Sequence, residues 1–243
     1  MRSKSSVAAI FCLLIGLSSP VLAATDIKLP NTFTQSEFDD LSRQVGLAIS
    51  YNPLSPAASL GLLGFDIGVE ATAVHIDSNK SFWTDAVGKT PPSYLVFPKI
   101  HAQKGLPLGI DVGLSYAKVP GTNIGLMGGE LKWAVLEGTS VIPAVAIRGD
   151  YTKLVGVNDI NLSDYGADIS ISKGFLFVTP YAGVGEVWIS SKEKSDLIDL
   201  KSASLSETKG FVGVKLSLFI ISFVAEADFS KVPSYSGRMN LSF

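Results

Sequence analysis

Cysteine is almost absent from this sequence, since Cys12 is the single one among 243 residues. Cys12 lies in an apolar stretch near the N-terminus, so the rest of the chain can form neither a disulfide nor a cysteine-ligated metal site. Histidine is nearly as scarce, and His75 and His101 are far apart in the sequence. We therefore expect no cofactor and no transition-metal site.

Long hydrophobic runs are also missing, although the mean hydropathy of +0.34 is high for a soluble protein. Beyond the N-terminal region the longest apolar run is Leu216 to Ala225, and serines interrupt it. A helix needs about 20 apolar residues to span a bilayer. A hydrophobic chain without such a helix can cross a membrane as a closed β-barrel, because neighbouring strands then pair all backbone polar groups.

An excess of positive charge is missing as well. The chain has 20 basic and 22 acidic residues, with a formal net charge of −2. A nucleic-acid partner would require a basic face. The charge balance therefore gives no support to a nucleic-acid-binding function.

The N-terminus has the pattern of an export signal. Arg2 and Lys4 precede an apolar stretch from Val7 to Leu17, and small side chains at Val21 and Ala23 suit a signal peptidase. We predict cleavage after Ala23. This divides the chain into a signal peptide (1–23), an N-terminal segment (24–63) and a barrel domain (64–243).

Most of the remaining chain alternates apolar and polar residues with period two, which is typical of strands in a membrane barrel. Tight connections alternate along the chain with longer ones, as periplasmic turns alternate with external loops. The pattern predicts an all-β, transmembrane antiparallel β-barrel of ten or twelve strands. The predicted β segments are 44–51, 65–76, 94–104, 108–118, 123–136, 140–152, 162–173, 175–190, 209–219, 221–230 and 235–243.

The N-terminal segment contains one helical pattern. Thr34 and Glu37 have the spacing of a capping box, and Phe38 and Leu41 follow at helical spacing. We predict a short helix near residues 34–42, either as a plug in the lumen or in the periplasm. The segment 44–51 is predicted to be a strand.

The two faces of the predicted strands differ in chemistry. One face has aromatic residues near both strand ends, as at membrane interfaces. A charge on a lipid-facing side would be unfavourable, so the charged face is predicted to line the lumen as a network of ion pairs.

Val74, Ile76, Leu95 and Phe97 share the parity of the charged face although they are apolar. The predicted girdle is Tyr116, Trp133, Tyr151, Tyr165, Tyr235 and Phe243. The predicted network is Glu70, Asp111, Glu130, Lys132, Arg148, Asp168, Glu186, Lys215, Glu226 and Arg238.

The last segment alternates from Tyr235 and ends on Phe243. It resembles the C-terminal signal of bacterial outer-membrane barrels, which implies the barrel assembly machinery and outer-membrane lipid as partners.

The whole chain resembles an uncharacterised family of small outer-membrane barrels. The stretch from Ile49 to Ala58 resembles the N-terminal region of fatty-acid-transporter-type barrels, although Leu54 and Ser55 separate Pro53 from Pro56. That resemblance implies an N-terminal hatch and a hydrophobic cargo.

These patterns leave three functions open, all of them in the bacterial outer membrane. The first is a barrel with an ion-paired lumen and a structural or unassigned role. The second is a narrow channel or transporter for small or hydrophobic solutes, gated by residues 24–63. The third is a hydrolase at the external rim that would use His75. We predict that the protein is not an enzyme, because the sequence contains no recognisable catalytic group.

Overall fold

Ten antiparallel strands form a closed barrel. In the computed structural model, which describes residues 26–119 and 122–243, β1 closes the ring by pairing with both β2 and β10. This confirms the predicted all-β barrel and gives ten strands rather than twelve. The predicted signal peptide, together with Cys12, lies outside the described residues.

Within the described residues, a helix precedes the strands and a second, shorter helix lies between the first two of them. No helix of the described residues is both long and apolar enough to cross a membrane. A single turn of 3-10 helix, Pro107–Gly109, joins β2 to β3. The elements are α1 Gln35–Ile49, β1 Phe65–His75, α2 Ser81–Val87, β2 Tyr94–Leu106, β3 Ile110–Lys118, β4 Gly125–Leu136, β5 Ala144–Val155, β6 Ile160–Ser172, β7 Val178–Glu193, β8 Ala203–Leu218, β9 Ile221–Phe229 and β10 Ser234–Ser242.

The two ends of the barrel have different connections. We call one end the turn end, because it has the connections 107–109, 137–143, 173–177 and 219–220 together with Phe65 and Phe243. The opposite end, called the loop end, has the connections 76–93, 119–124, 156–159, 194–202 and 230–233. The predicted orientation places the turn end in the periplasm and the loop end outside the cell.

Alternation along each strand separates the lumen from the outer surface. On β3, Asp111 faces inward and is fully buried, whereas Leu114 faces outward and is 71% exposed. The same parity continues across the ladder, where Asp111 is in register with Lys132 and Leu114 with Gly129. The outer surface is therefore apolar and the wall of the lumen is charged, as the alternation predicted.

Helix α1 begins with the predicted capping box. The Thr34 hydroxyl accepts a hydrogen bond from the backbone N–H of Glu37, and the Glu37 carboxylate accepts one from the backbone N–H of Thr34. These bonds lower the pKa of Glu37, first through the Thr34 backbone and then through its side chain. Their stabilisation is therefore complete above the ordinary pKa of the carboxyl group and is lost as the pH falls through the lowered value.

The predicted strand at 44–51 is wrong, because α1 continues to Ile49. Its last turns are buried on every side, at Val45, Gly46, Leu47, Ala48 and Ile49. A helix without a solvent-facing side shows no 3.6-residue polar period. Large and small residues alternate in this stretch, so its sequence pattern resembled that of a strand.

Helix α1 lies inside the barrel at the loop end. Gly46 packs against Ile189 of β7, and the Arg43 guanidinium binds Glu207 of β8 at 2.9 Å. Around the helix lies an apolar core that includes Val74, Ile76 and Phe97. These inward-facing apolar residues are thus explained, because they belong to the same apolar cluster as Phe38 and Leu41 of α1.

The residues before α1 contact the connections of the loop end. The Asn158 side-chain amide donates to Asp26 at 3.0 Å, and the backbone N–H of Leu29 donates to Asp159 at 3.1 Å. The backbone N–H of Lys28 donates to the carbonyl of Ala86 in α2. The chain therefore enters the lumen from the loop end and leaves it at the turn end, where β1 begins.

Replacing Phe38 with alanine should loosen α1 without opening the barrel, because Phe38 is fully buried in the loop-end core. Loss of a buried phenylalanine side chain is worth about 3–5 kcal/mol. We expect faster hydrogen exchange at the amides of residues 35–49, measured by mass spectrometry, with unchanged exchange in the strands. Leu63→Ala is the control, since Leu63 is 89% exposed. Unchanged exchange in α1 of the Phe38 variant would contradict its docking in the lumen.

Candidate functional site: the plugged lumen

Residues 50–64, which we call the lumen segment, fill the barrel between α1 and β1 without forming a helix or a strand. The segment touches the wall along its whole length. Tyr51 contacts Lys209, the backbone N–H of Ala57 donates to Ser172 at 3.0 Å, and the backbone of Gly64 contacts Lys104 at the turn end. The lumen is therefore occupied by the protein's own chain from one end to the other.

Basic side chains of the wall bind backbone carbonyls of the lumen segment. Lys132 is an example, because its ammonium group donates to the carbonyls of Pro56 at 2.9 Å and of Ala58 at 3.0 Å. A carbonyl buried away from water needs such a donor, and a charged donor makes a stronger bond than a neutral one. The other such contacts in the lumen are Lys209 with Tyr51 and Arg238 with Leu54. At the turn end, the outward-facing Lys104 binds the carbonyls of Leu62 and Gly64.

Acidic side chains of the wall accept hydrogen bonds from the amides of the same segment. The backbone N–H of Leu54 donates to Glu226 at 2.9 Å, and that of Leu60 donates to Asp111 at 3.0 Å. The backbone N–H of Ser59 donates to Glu137 at 3.1 Å. Wall charges of both signs thus replace the strand partners that this irregular segment lacks.

The wall charges also pair with one another. The seam between β1 and its neighbours contains one such group, in which Glu70 binds Lys99 at 2.8 Å and Arg238 at 3.9 Å. Arg148 lies between Glu130 at 3.2 Å and Asp168 at 3.8 Å. Further lumen pairs join Asp111 with Lys132, Asp66 with Lys215, and Asp228 with Lys209.

Nine of the ten residues predicted to form the lumen network face inward, and Glu186 does not. Its register partners Ala167 and Thr208 are on the outer surface, and the Thr208 hydroxyl donates to the Glu186 carboxylate at 3.0 Å. The next residue, Val187, is the one that is buried in the lumen. The prediction that Glu186 belongs to the lumen network is therefore wrong, and Lys215 pairs across the lumen with Asp66 at 3.5 Å.

Sequence reasoning missed the partners that the lumen segment provides. The Asn52 side chain accepts from Lys99 at 2.8 Å and donates to Asp228 at 3.0 Å. Tyr51 is buried beside His101, with 3.0 Å between the Tyr51 hydroxyl and the His101 Nε2. The inward parity of Asp228 was visible in the sequence, but the assignment of residues 44–51 to a strand concealed the role of Tyr51.

One part of the wall has carboxylates without a basic partner. Both oxygens of the Asp164 carboxylate are buried and have no hydrogen-bond partner among the described residues, and the Thr152 hydroxyl in register with it has none either. Within residues 26–119 and 122–243, no group of three or more histidine or acidic side chains has the arrangement of a metal site. Asp164 is therefore a lumen carboxyl group that neither the lumen segment nor a neighbouring strand satisfies within the described residues.

The rim histidine has an aromatic neighbour. The ring of His75 lies 4.9 Å from the ring of Tyr94, measured between centroids. Asp77, two residues further on, pairs with Lys80 at 3.8 Å. Across the described residues, His75 has no salt bridge with a carboxylate.

The outer surface has exposed aromatic and aliphatic side chains throughout. All six residues of the predicted girdle face outward, with exposed fractions from 37% for Tyr151 to 68% for Phe243. Such a surface around a lumen of buried charges has the arrangement expected of a transmembrane barrel. The fold is that of a bacterial outer-membrane β-barrel.

Comparisons with known proteins give likenesses of fold. The sequence matches no protein-family model and no curated protein. The attachment invasion locus protein Ail of Yersinia pestis is 14% identical, with 74% of this chain and 97% of that chain covered and a TM-score of 0.33. Neisserial surface protein A is 10% identical over 74% and 97%, with a TM-score of 0.31. The translocator domain of autotransporter NalP from Neisseria meningitidis is 8% identical over 86% and 96%, with a TM-score of 0.39.

Replacing Lys132 with methionine should destabilise the folded protein strongly. The change leaves the Asp111 carboxylate without its basic partner and the carbonyls of Pro56 and Ala58 without their donor. Removing one partner of a buried pair costs about 3–5 kcal/mol. The measurement is the urea midpoint of the refolded protein in detergent micelles. Lys173→Met is the matched control, because Lys173 makes one exposed bond to the carbonyl of Thr139. Equal midpoints for the two variants would disprove the structural role of Lys132.

Proposed function

We propose that this chain is an integral outer-membrane protein whose lumen is kept closed by its own N-terminal segment. The observation that carries the proposal is the binding of the lumen segment's backbone by wall charges of both signs. Lys132, Glu226 and Asp111 make these contacts at distances of 2.9–3.2 Å. In this state the barrel provides no continuous path for a solute, which favours a structural role.

The apolar core at the loop end supports the same proposal. Phe38 and Leu41 of α1 are fully buried among inward-facing residues of the wall, such as Leu162 of β6. Moving α1 out of the barrel would expose this apolar surface to water, at about 25 cal/mol per Å². The closed state is thus held by apolar contacts at one end and by charged hydrogen bonds at the other.

The orientation and the assembly of the barrel belong to the same proposal. The alternating strand β10 and the terminal Phe243 would be recognised by the barrel assembly machinery, with the turn end in the periplasm. The loop end, with the residues that precede α1, would then face the outside of the cell.

A gated transporter is the second candidate function, and a specific observation favours it. The lumen segment from Ser55 to Ser59 consists of small side chains and proline, and it is held mainly through backbone contacts. A segment held in this way can leave without disturbing a closely packed apolar core. The unpaired carboxylate of Asp164 would then favour cations over anions in the opened lumen.

Conductance in planar lipid bilayers tests the closed barrel against the transporter. The wild-type protein should give no conductance steps, and deletion of residues 26–63 should give discrete steps, because the wall charges would then be hydrated. The double variant Lys132→Met/Glu226→Gln should give brief openings, since it weakens the hold on the lumen segment while α1 stays in place.

The charge-matched control for this experiment is Lys173→Met/Glu186→Gln, in which both changes lie outside the lumen. This control variant should give no conductance steps, like the wild type. Steps from the wild type itself would overturn the closed barrel in favour of the transporter. A deletion variant that folds but gives no conductance steps would show that the lumen segment does not close the barrel.

A further inference from the structure

The apolar outer surface contains an open groove that extends from Phe65 on β1 across to β6. Its volume is about 860 Å³, and outward-facing residues that line it include Leu114, Leu131, Tyr151 and Tyr165. It continues towards the turn end at Phe65. A barrel surface of uniformly large side chains would leave no such depression, so the cause of the groove lies in the residues of its floor.

Gly129 and Gly149 form the part of the floor without side chains. They lie on neighbouring strands, where Gly129 is in register with Tyr151 and Gly149 with Leu131. A second groove of about 510 Å³ runs towards Trp133 and shares Leu131 and Gly149 with the first. The two depressions are therefore continuous along the outer face.

The barrel does not need glycine at these two positions for its own packing. A Cβ on Gly129 would come no closer than 3.5 Å to the Leu114 side chain, and one on Gly149 no closer than 4.0 Å to a backbone oxygen. Inward-facing glycines differ, since a Cβ on Gly213 would overlap the ring of Tyr181 and one on Gly113 would lie 2.6 Å from Glu130.

Glycine weakens a strand and often marks a place where a ligand approaches the backbone. The register between β4 and β5 is regular around Gly129 and Gly149, and it shifts only near the turn end, between Ala134 and Leu136. The two glycines therefore mark neither a bulge nor a crowded contact inside the protein. What they leave open is space on the lipid-facing side.

Two lysines lie on the loop-end side of the groove, beyond the residues that line it. Lys104 lines the groove near the turn end, but its ammonium group already binds the carbonyls of Leu62 and Gly64. Lys118 on β3 and Lys153 on β5 flank the end of β4, with Lys153 in register with Met127 and Lys118 with Gly125. Both are exposed, and neither has a salt bridge to a carboxylate within the described part of the chain. Glu186, an outward-facing carboxylate, lies further round the barrel on β7.

We propose that this groove is a binding site for a phosphate-bearing anionic lipid. One acyl chain lies over Gly129 and Gly149 between Leu114 and Tyr165, and the lipid phosphate binds Lys118 and Lys153. Charge complementarity selects this occupant, because lysine ammonium groups attract phosphate oxygens at the membrane surface. A second copy of the barrel docked symmetrically here would bring the same lysines together, and like charges would oppose that contact.

Native mass spectrometry of the refolded protein tests the site with two probe lipids, phosphatidylglycerol and phosphatidylcholine with the same acyl chains. The wild type should retain phosphatidylglycerol several-fold more than phosphatidylcholine. Lys118→Gln/Lys153→Gln should lower the retention of phosphatidylglycerol to that of phosphatidylcholine. Gly129→Leu/Gly149→Leu should lower the retention of both lipids, because leucine side chains would fill the groove. Glycerol phosphate, the headgroup without acyl chains, should not compete.

Matched controls separate the site from general effects on charge or folding. Lys89→Gln/Lys194→Gln removes the same charge elsewhere at the loop end, and Gly237→Leu fills an outward-facing glycine on β10 that has similar free space. Both should retain phosphatidylglycerol as the wild type does. Heat-modifiable migration in gels verifies folding, and Gly149→Leu alone replaces the double variant if that variant does not fold.

Equal retention of the two lipids by the wild type would overturn the proposal. So would an equal loss in the control variants, or competition by glycerol phosphate, which would indicate a site for free phosphate. A dimer that Gly129→Leu/Gly149→Leu converts to a monomer would also overturn it, because the groove would then hold a second copy of the chain.

Discussion

Hydrogen bonding of the buried backbone in the lumen is the constraint on which the rest of this structure depends. The lumen segment has no strand partner, yet its carbonyls and amides lie inside the barrel, where each unpaired group would be unfavourable. Lys132 and Arg238 supply donors, and Asp111 and Glu226 supply acceptors. The wall and the segment therefore stabilise each other, because the wall charges satisfy the segment's buried backbone and the segment satisfies the wall charges in the absence of water.

The two halves of the lumen differ in chemistry, and each half matches the part of the chain that it contains. At the loop end a helix satisfies its own backbone, so the wall around α1 can be apolar, as at Val74 and Phe97. At the turn end the irregular lumen segment requires partners, so the wall there is charged. This division explains why the inward face of one strand, β1, contains both Glu70 and Val74.

The barrel wall also differs between its two sides in its use of glycine. Inward-facing glycines such as Gly213 make room for large side chains of the lumen, as for Tyr181. Outward-facing Gly129 and Gly149 make room for nothing inside the protein. The same residue type thus accommodates the chain's own side chains on one surface and leaves a groove open to the lipid on the other.

The sequence by itself determined the barrel, because a period of two over several segments is a local property of each strand. It also determined the capping box at Thr34 and Glu37 and the inward orientation of residues such as Arg148, whose pairs with Glu130 and Asp168 follow from strand order. Tertiary structure decided the rest. The partners of Lys132 are backbone carbonyls, which have no signature in a sequence, and α1 is buried on all sides, so its period was hidden. Glu186 faces outward because β7 begins only at Val178, after the connection 173–177, and its odd-numbered residues, such as Tyr181 and Val187, face inward.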